Sequence, residues 1–105
     1  MDCRIIWSER AAVELQEIYL YYSGIANADV ARRRIQSITR DVLTIKSMPN
    51  IGQIDLTYPH SPDYRYIVVL DYRIYYYVVD DTVRIASIWD CRQGGTAFQP
   101  KTPRN

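Results

Sequence analysis

At 105 residues with a formal net charge of +1, the chain has room for a single modest core, and its charge does not mark it as a nucleic-acid binder. No stretch approaches the roughly 20 apolar residues of a membrane span. The amino terminus lacks the basic-then-apolar order of a signal peptide, which makes the cytoplasm the expected compartment. Two cysteines and one histidine fall short of the four ligands of a structural zinc site. We therefore expect Cys3 and Cys91 to be reduced thiols, close together only if the first and last strands are neighbours, and we expect no metal and no cofactor.

In chain order, Arg4 to Trp7 reads as a short strand and Ser8 as the N-cap of a helix. Ala11, Leu15, Ile18, Tyr19 and Tyr22 recur at helical spacing until Gly24. Asn27 is placed to cap a second helix. Its Ala31, Ile35, Ile38, Val42 and Ile45 form a narrow stripe for packing rather than chemistry. The short break between the two favours an antiparallel pair.

Pro49, Gly52, Pro59 and Pro62 then punctuate a loop, with a short strand expected near Ile54 to Thr57. Beyond it Tyr64 to Leu70, Arg73 to Val79 and Thr82 to Trp89 carry the Tyr, Val and Ile of strands. Asp71-Tyr72 and Asp80-Asp81 are the candidate turns, so the strands form an antiparallel meander. Residues 1–93 are read as one domain, and residues 94–105, with Gly94, Gly95, Pro100 and Pro103, as a flexible tail. The fold class is α+β: an antiparallel helix pair covers one face of a small, mostly antiparallel twisted sheet, and the other face stays open.

Two residue biases bear on that open face. Eleven of the thirteen basic residues are arginine, and there are ten tyrosines against one phenylalanine. Arginine brings a planar fork of donors, and tyrosine brings a ring that also meets water. A two-residue hairpin at Asp80-Asp81 sets Tyr77 opposite Arg84 and Tyr75 opposite Ala86. Alternation then puts Ile74, Tyr76, Val78, Val83 and Ile85 on the core side. Arg73, Tyr75, Tyr77 and Arg84 take the open side, with Asp90 and Arg92 following in parity, and Arg84 becomes a cation–π neighbour of Tyr77. Arg65 joins them if the loop around Asp71 has an odd number of residues. We expect that turn, because the even one buries a lone guanidinium. Such a face suits single-stranded RNA, an acidic peptide, or water alone.

The remaining notable residues have ordinary readings. His60 is expected to face solvent in the loop, and Arg32-Arg33-Arg34 to form a solvated helix face. Trp7 and Trp89 are expected to pack in the core or at a sheet edge. Asp80 and Asp81 suit a turn on backbone grounds alone.

Taken together, the ordered elements resemble the RelE/ParE toxin superfamily of bacterial toxin–antitoxin pairs. The matching residues are Trp7-Ser8 with Ala12, Leu15 and Ile18, then Pro49 with Gly52, and Tyr64-Arg65. Tyr72-Arg73-Ile74-Tyr75-Tyr76, Asp80-Asp81-Thr82-Val83 and Ile88-Trp89-Asp90-Cys91-Arg92-Gln93 complete the set. The resemblance implies a growth inhibitor held inactive by a cognate antitoxin, whose amphipathic segments fit the groove between helices and sheet. RelE-like members cut mRNA on the ribosome, ParE-like members inhibit DNA gyrase, and an inactive interaction module is a third possibility.

Carried over by position, the RelE-like catalytic pattern reaches Arg65, Arg73 and Arg92, leaving Tyr75, Tyr77 and Arg84 as partner-binding residues. Ile67 stands where that pattern has a lysine, the nearest carboxyl-terminal aromatic is Phe98, and neither Asp90 nor Cys91 is a histidine. RNA cleavage needs a base and an acid, roles that arginine's very high pKa suits poorly. The incomplete set favours the ParE-like branch.

Overall fold

The computed structural model describes residues 3–57, 59 and 61–93. The elements are β1 (Arg4–Trp7), α1 (Glu9–Ile25), α2 (Ala28–Ser47), β2 (Gln53–Ile54), β3 (Arg65–Val69), β4 (Tyr72–Val79) and β5 (Thr82–Asp90), closed by a 3-10 turn at Cys91–Gln93. They form a helical hairpin against one five-stranded sheet of order β1-β5-β4-β3-β2, antiparallel except for the β1–β5 pair. The α+β expectation therefore holds. β2 is two residues long and begins at Gln53, earlier than the sequence suggested. His60 and the segment 94–105 lie outside the described residues.

Both predicted N-caps form. The Ser8 hydroxyl accepts the Ala11 N–H at 3.0 Å, and the Asn27 side-chain oxygen accepts the Val30 N–H at 2.9 Å, satisfying amides that a first helical turn leaves orphaned. Ser8 also joins α1 to the sheet: its hydroxyl donates to the Ala86 carbonyl and its N–H to the Ile85 carbonyl, each at 2.9 Å. Between the layers, Ala11, Ile18, Tyr22, Ala31, Ile38, Val42 and Ile45 meet Ile74, Tyr76, Val83, Ile85 and Ile88 in one core. Burial of these side chains supplies the main driving force for folding.

Strand parity departs from expectation at two places. The β3–β4 loop is Leu70-Asp71, with Val69 opposite Tyr72, and Leu70 takes a positive φ of 56°. Two is an even count, so Arg65 lies opposite Tyr76 on the helix side, not beside Arg73 as expected. Its guanidinium is not stranded, because it donates to the Gly52 carbonyl at 2.9 Å and the Asn50 carbonyl at 3.2 Å. Those acceptors remove the cost that had argued for the odd loop.

The second departure is a bulge. Tyr76 pairs with Ile85 but Tyr75 pairs with Ser87, so Ala86 is the extra residue, not the partner of Tyr75. One inserted residue flips every later side chain to the other face. Trp89 consequently sits opposite Arg73, and Asp90 opposite the core residue Tyr72. Asp90 and Arg92 leave the open face to which unbroken alternation had assigned them.

The first and last strands are neighbours, as the pairing of the cysteines required. They run parallel, however, with Arg4 opposite Thr82, which puts Cys3 and Cys91 at opposite ends of β5, about 30 Å apart. Both thiols are free. Among the described residues no helix is long and apolar enough to cross a membrane, and no cluster of metal-ligating side chains occurs.

Candidate functional site

On the open face, Tyr64 and Tyr75 are buried under half-buried Tyr66, Tyr77, Ala86 and Trp89. The rings support one another: Tyr64 meets Tyr77 edge-on at 5.7 Å and Tyr66 lies 5.5 Å from Tyr75. This second small core, built almost wholly of aromatic rings, stands on the side of the sheet away from the helices. Tyr75 is only 1% exposed, so it is the floor of the face and offers no ring to a partner, contrary to its expected place.

Arg73 crosses this layer. Its guanidinium lies 4.5 Å over the Tyr66 ring and donates to the Tyr75 hydroxyl at 3.3 Å. Burial pushes the Tyr75 hydroxyl above its ordinary pKa, although the bond from Arg73 works against that shift. Arg84, opposite Tyr77, is exposed. Arg73, Tyr77 and Arg84 therefore do share the open face, together with Trp89 and Tyr66. Sequence reasoning passed over Tyr66, although its position two residues past Tyr64 carried the signal. It missed Trp89 because the bulge was not legible.

Arg65 and Arg92 are elsewhere. Arg65 belongs to a clamp on the 49–52 loop. The Tyr76 hydroxyl donates to the Pro49 carbonyl and accepts the Gly52 N–H, at 2.9 and 2.8 Å, and Arg65 holds the Gly52 carbonyl. A Cβ at Gly52 would come within 2.5 Å of the Tyr76 hydroxyl, so this close approach requires glycine. The Pro49-Gly52 pair is thus explained by packing.

Arg92 lies on the helix side, at the end of a cleft of about 630 Å³ between α1 and β5. Glu14, Glu17, Ile18, Tyr21, Tyr72, Ile88, Trp89, Asp90 and Arg92 line it. Arg92 donates to both Asp90 oxygens at 3.1 Å, and this holds the Asp90 carboxyl below the usual carboxylate range. The Tyr72 hydroxyl is pushed well above its ordinary value, first by burial and then by the neighbouring Tyr22. The cleft's inner wall is Glu14, whose carboxylate accepts the Ser87 hydroxyl at 3.0 Å and the Ile88 N–H at 2.8 Å. Glu14 and Ser8 together therefore grip both sides of the bulge.

A second groove, of about 660 Å³, lies between α2 and β1 and is lined by Cys3, Arg4, Ile5, Trp7, Thr39, Val42, Leu43 and Lys46. On the helices, Arg32 pairs with Asp29 and Arg33 is exposed. Arg34 departs from the expected solvated face, as it stacks 4.2 Å over the Tyr22 ring.

Comparison with known proteins places this geometry. The family model for the ParE toxin of the type II toxin–antitoxin system, parDE, matches residues 5–94. Among solved structures, a chain described as "Chromosomal ParDE TA system from P. aeruginosa" superposes with a TM-score of 0.73 at 20% identity, covering 84% of this chain and 95% of that one. At that identity the likeness speaks for the fold alone. No curated protein matches.

Proposed function

The chain belongs to the ParE toxin family of type II toxin–antitoxin systems, and from that premise we propose that it arrests growth by binding DNA gyrase in the cytoplasm, not by cutting mRNA. A cognate antitoxin is its partner and keeps it inactive. The observation that carries the proposal is the division of the three arginines. Arg73 is on the open face, whereas Arg65 is bound to loop carbonyls and Arg92 to Asp90 on the other side of the sheet.

A cleaving site would gather cations around one phosphate, beside a base titrating near neutrality. The arginines do not converge in this way, and the tyrosine nearest Arg73 has its hydroxyl shifted away from neutrality. What the open face supplies is a binding surface: Arg73 over the Tyr66 ring, with exposed Arg84, Val68 and Val79 beside it. Arginine and aromatic side chains dominate the energetics of such surfaces.

For the antitoxin, the α2–β1 groove is the better-matched seat. Ile5, Trp7, Val42 and Leu43 offer an apolar lining, and Arg4 and Lys46 add positive charge for an acidic amphipathic segment. Induction of the chain without its antitoxin tests the proposal. Growth arrest with a DNA-damage response and intact mRNA is expected, and Arg73→Ala with Arg84→Ala should relieve the arrest at least tenfold in plating efficiency. Codon-linked mRNA cuts without a DNA-damage response would overturn it in favour of the ribosome-dependent nuclease.

A further inference from the structure

The open face leaves its arginines without a counter-charge. Elsewhere Arg10, Arg32, Arg40 and Arg92 each meet a carboxylate, and Arg65 is taken up by loop carbonyls. Arg73 and Arg84 form no ion pair among the described residues. Neither does Arg4, which the register sets opposite Thr82 at the edge of the same face. Asp55, whose charge reaches Tyr75, is turned instead to the Thr57 N–H at 2.9 Å. A guanidinium in this condition is ready for a carboxylate, which its fork of donors grips with two parallel hydrogen bonds.

The rings around the arginines narrow the choice of partner. Stacking of nucleic-acid bases needs an open ring face. Arg73 lies over the ring of Tyr66, and Tyr75 is buried, so neither supplies one. Half-buried Tyr77, Ala86 and Trp89 instead form an apolar strip, with exposed Val68 and Val79 on β3 and β4. β4 and β5 have strands on both sides, so a partner meets this strip face-on and not by joining the sheet.

The spacing of the charges sets the length of that partner. Arg84 stands opposite Tyr77, four residues along β4 from Arg73. Four residues of strand and one strand spacing separate the two by about 14 Å. An extended chain covers about 13 Å from residue i to i+4, and its alternation turns i, i+2 and i+4 to one side. Building on the open face as the target-binding surface, we propose that the target presents it with an extended acidic segment. Carboxylates at i and i+4 meet Arg73 and Arg84, and an apolar side chain at i+2 covers the strip between them.

A glycine-flanked peptide, Glu-Thr-Val-Thr-Glu, titrated into the isotopically labelled full-length chain tests this by NMR. Amide signals of Arg73, Arg84 and Trp89 are expected to shift, with those of α1 and α2 unmoved. Arg73→Ala and Arg84→Ala should each weaken the fitted Kd about tenfold, the loss of one charged hydrogen-bonding pair. Arg73→Lys, which keeps the charge, should lose less, with circular dichroism confirming that every variant is folded. A peptide with lysine in place of both glutamates should leave the signals unmoved. No shift with the acidic peptide, indifference to Arg84→Ala, or tighter binding of oligouridine at the same residues would overturn the proposal. Arrest with a DNA-damage response despite a peptide that fails to bind removes the acidic segment and keeps gyrase; peptide binding without that response does the reverse.

Discussion

Tyr75 and Tyr76 are neighbours in sequence, lie on opposite faces of β4, and are 1% and 0% exposed. Tyr76 is closed over by the core and the 49–52 loop, with its hydroxyl held between Pro49 and Gly52. Tyr75 packs against Tyr64, Tyr66, Tyr77, Ala86 and Trp89 on the side away from the helices, and its hydroxyl accepts from Arg73. The strand treats both residues alike; the cover is what differs. A face covered by a helical layer is committed to stability, whereas a face that covers itself with rings keeps a surface available to a partner. The arginines divide in the same way, Arg65 tying down a loop and Arg73 lying across the rings.

That contrast has consequences of decreasing size. The largest should come from Tyr76→Ala, which empties a core site and frees the loop. A loss of about 3–5 kcal/mol in denaturant unfolding is expected. Arg84→Ala on the open face should stay within about 0.5 kcal/mol, as exposed positions do. Equal losses in the two variants would erase the distinction between the faces.

Glu14→Ala probes the bulge that separates the two sides. It leaves the Ser87 hydroxyl and the Ile88 N–H without their acceptor, at a cost of about 1–3 kcal/mol. Hydrogen exchange at the Ile88 amide should accelerate, and Glu14→Gln, which retains an acceptor oxygen, should lose less. Unchanged exchange in Glu14→Ala would show that the bulge needs no support from α1.

The smallest effect near neutrality is electrostatic and appears at high pH. Burial raises the Tyr72, Tyr75 and Tyr76 hydroxyls on both faces above the ordinary value of 10.0. Above about pH 10 the unfolded chain releases protons that the folded chain retains, so stability is complete below that pH and falls as pH rises through the folded values. Each tyrosine contributes a slope of up to about 1.4 kcal/mol per pH unit. Thermal unfolding between pH 8 and 11 should show the decline, and Tyr72→Phe should make it shallower. A flat profile to pH 11 would mean that these hydroxyls are no harder to ionise in the folded chain.

Much of the fold was legible because its signals are local. Ser8 and Asn27 cap helices through their own following amides, and the stripe from Ala31 to Ile45 has only one way to be buried. Arg73, Tyr77 and Arg84 were placed on the right face because they precede the bulge on β5 or sit on the strand facing it. Arg65, Asp90 and Arg92 were misplaced because each depends on a count that alternation cannot supply. For Arg65 the count was the length of a turn, and for the others it was one extra residue at Ala86. Tyr75 was assigned the correct face but not its depth, which depends on four neighbours from other parts of the chain.

The sequence by itself determined the element order, the α+β class, the core side of β4 and the family of toxins to which the chain belongs. The first three follow from periodicity, capping and turn chemistry, which act over a few residues, and the last from the resemblance of the ordered motifs to that family. Only the tertiary structure decided which arginines share a surface. An unsatisfied guanidinium, carbonyl or hydroxyl finds its partner across the fold, and those partners, Gly52 for Arg65 and Glu14 for Ser87, are distant in the chain. Their hydrogen bonds fixed the register, and the register distributed one set of residues between a stabilising face and an open one.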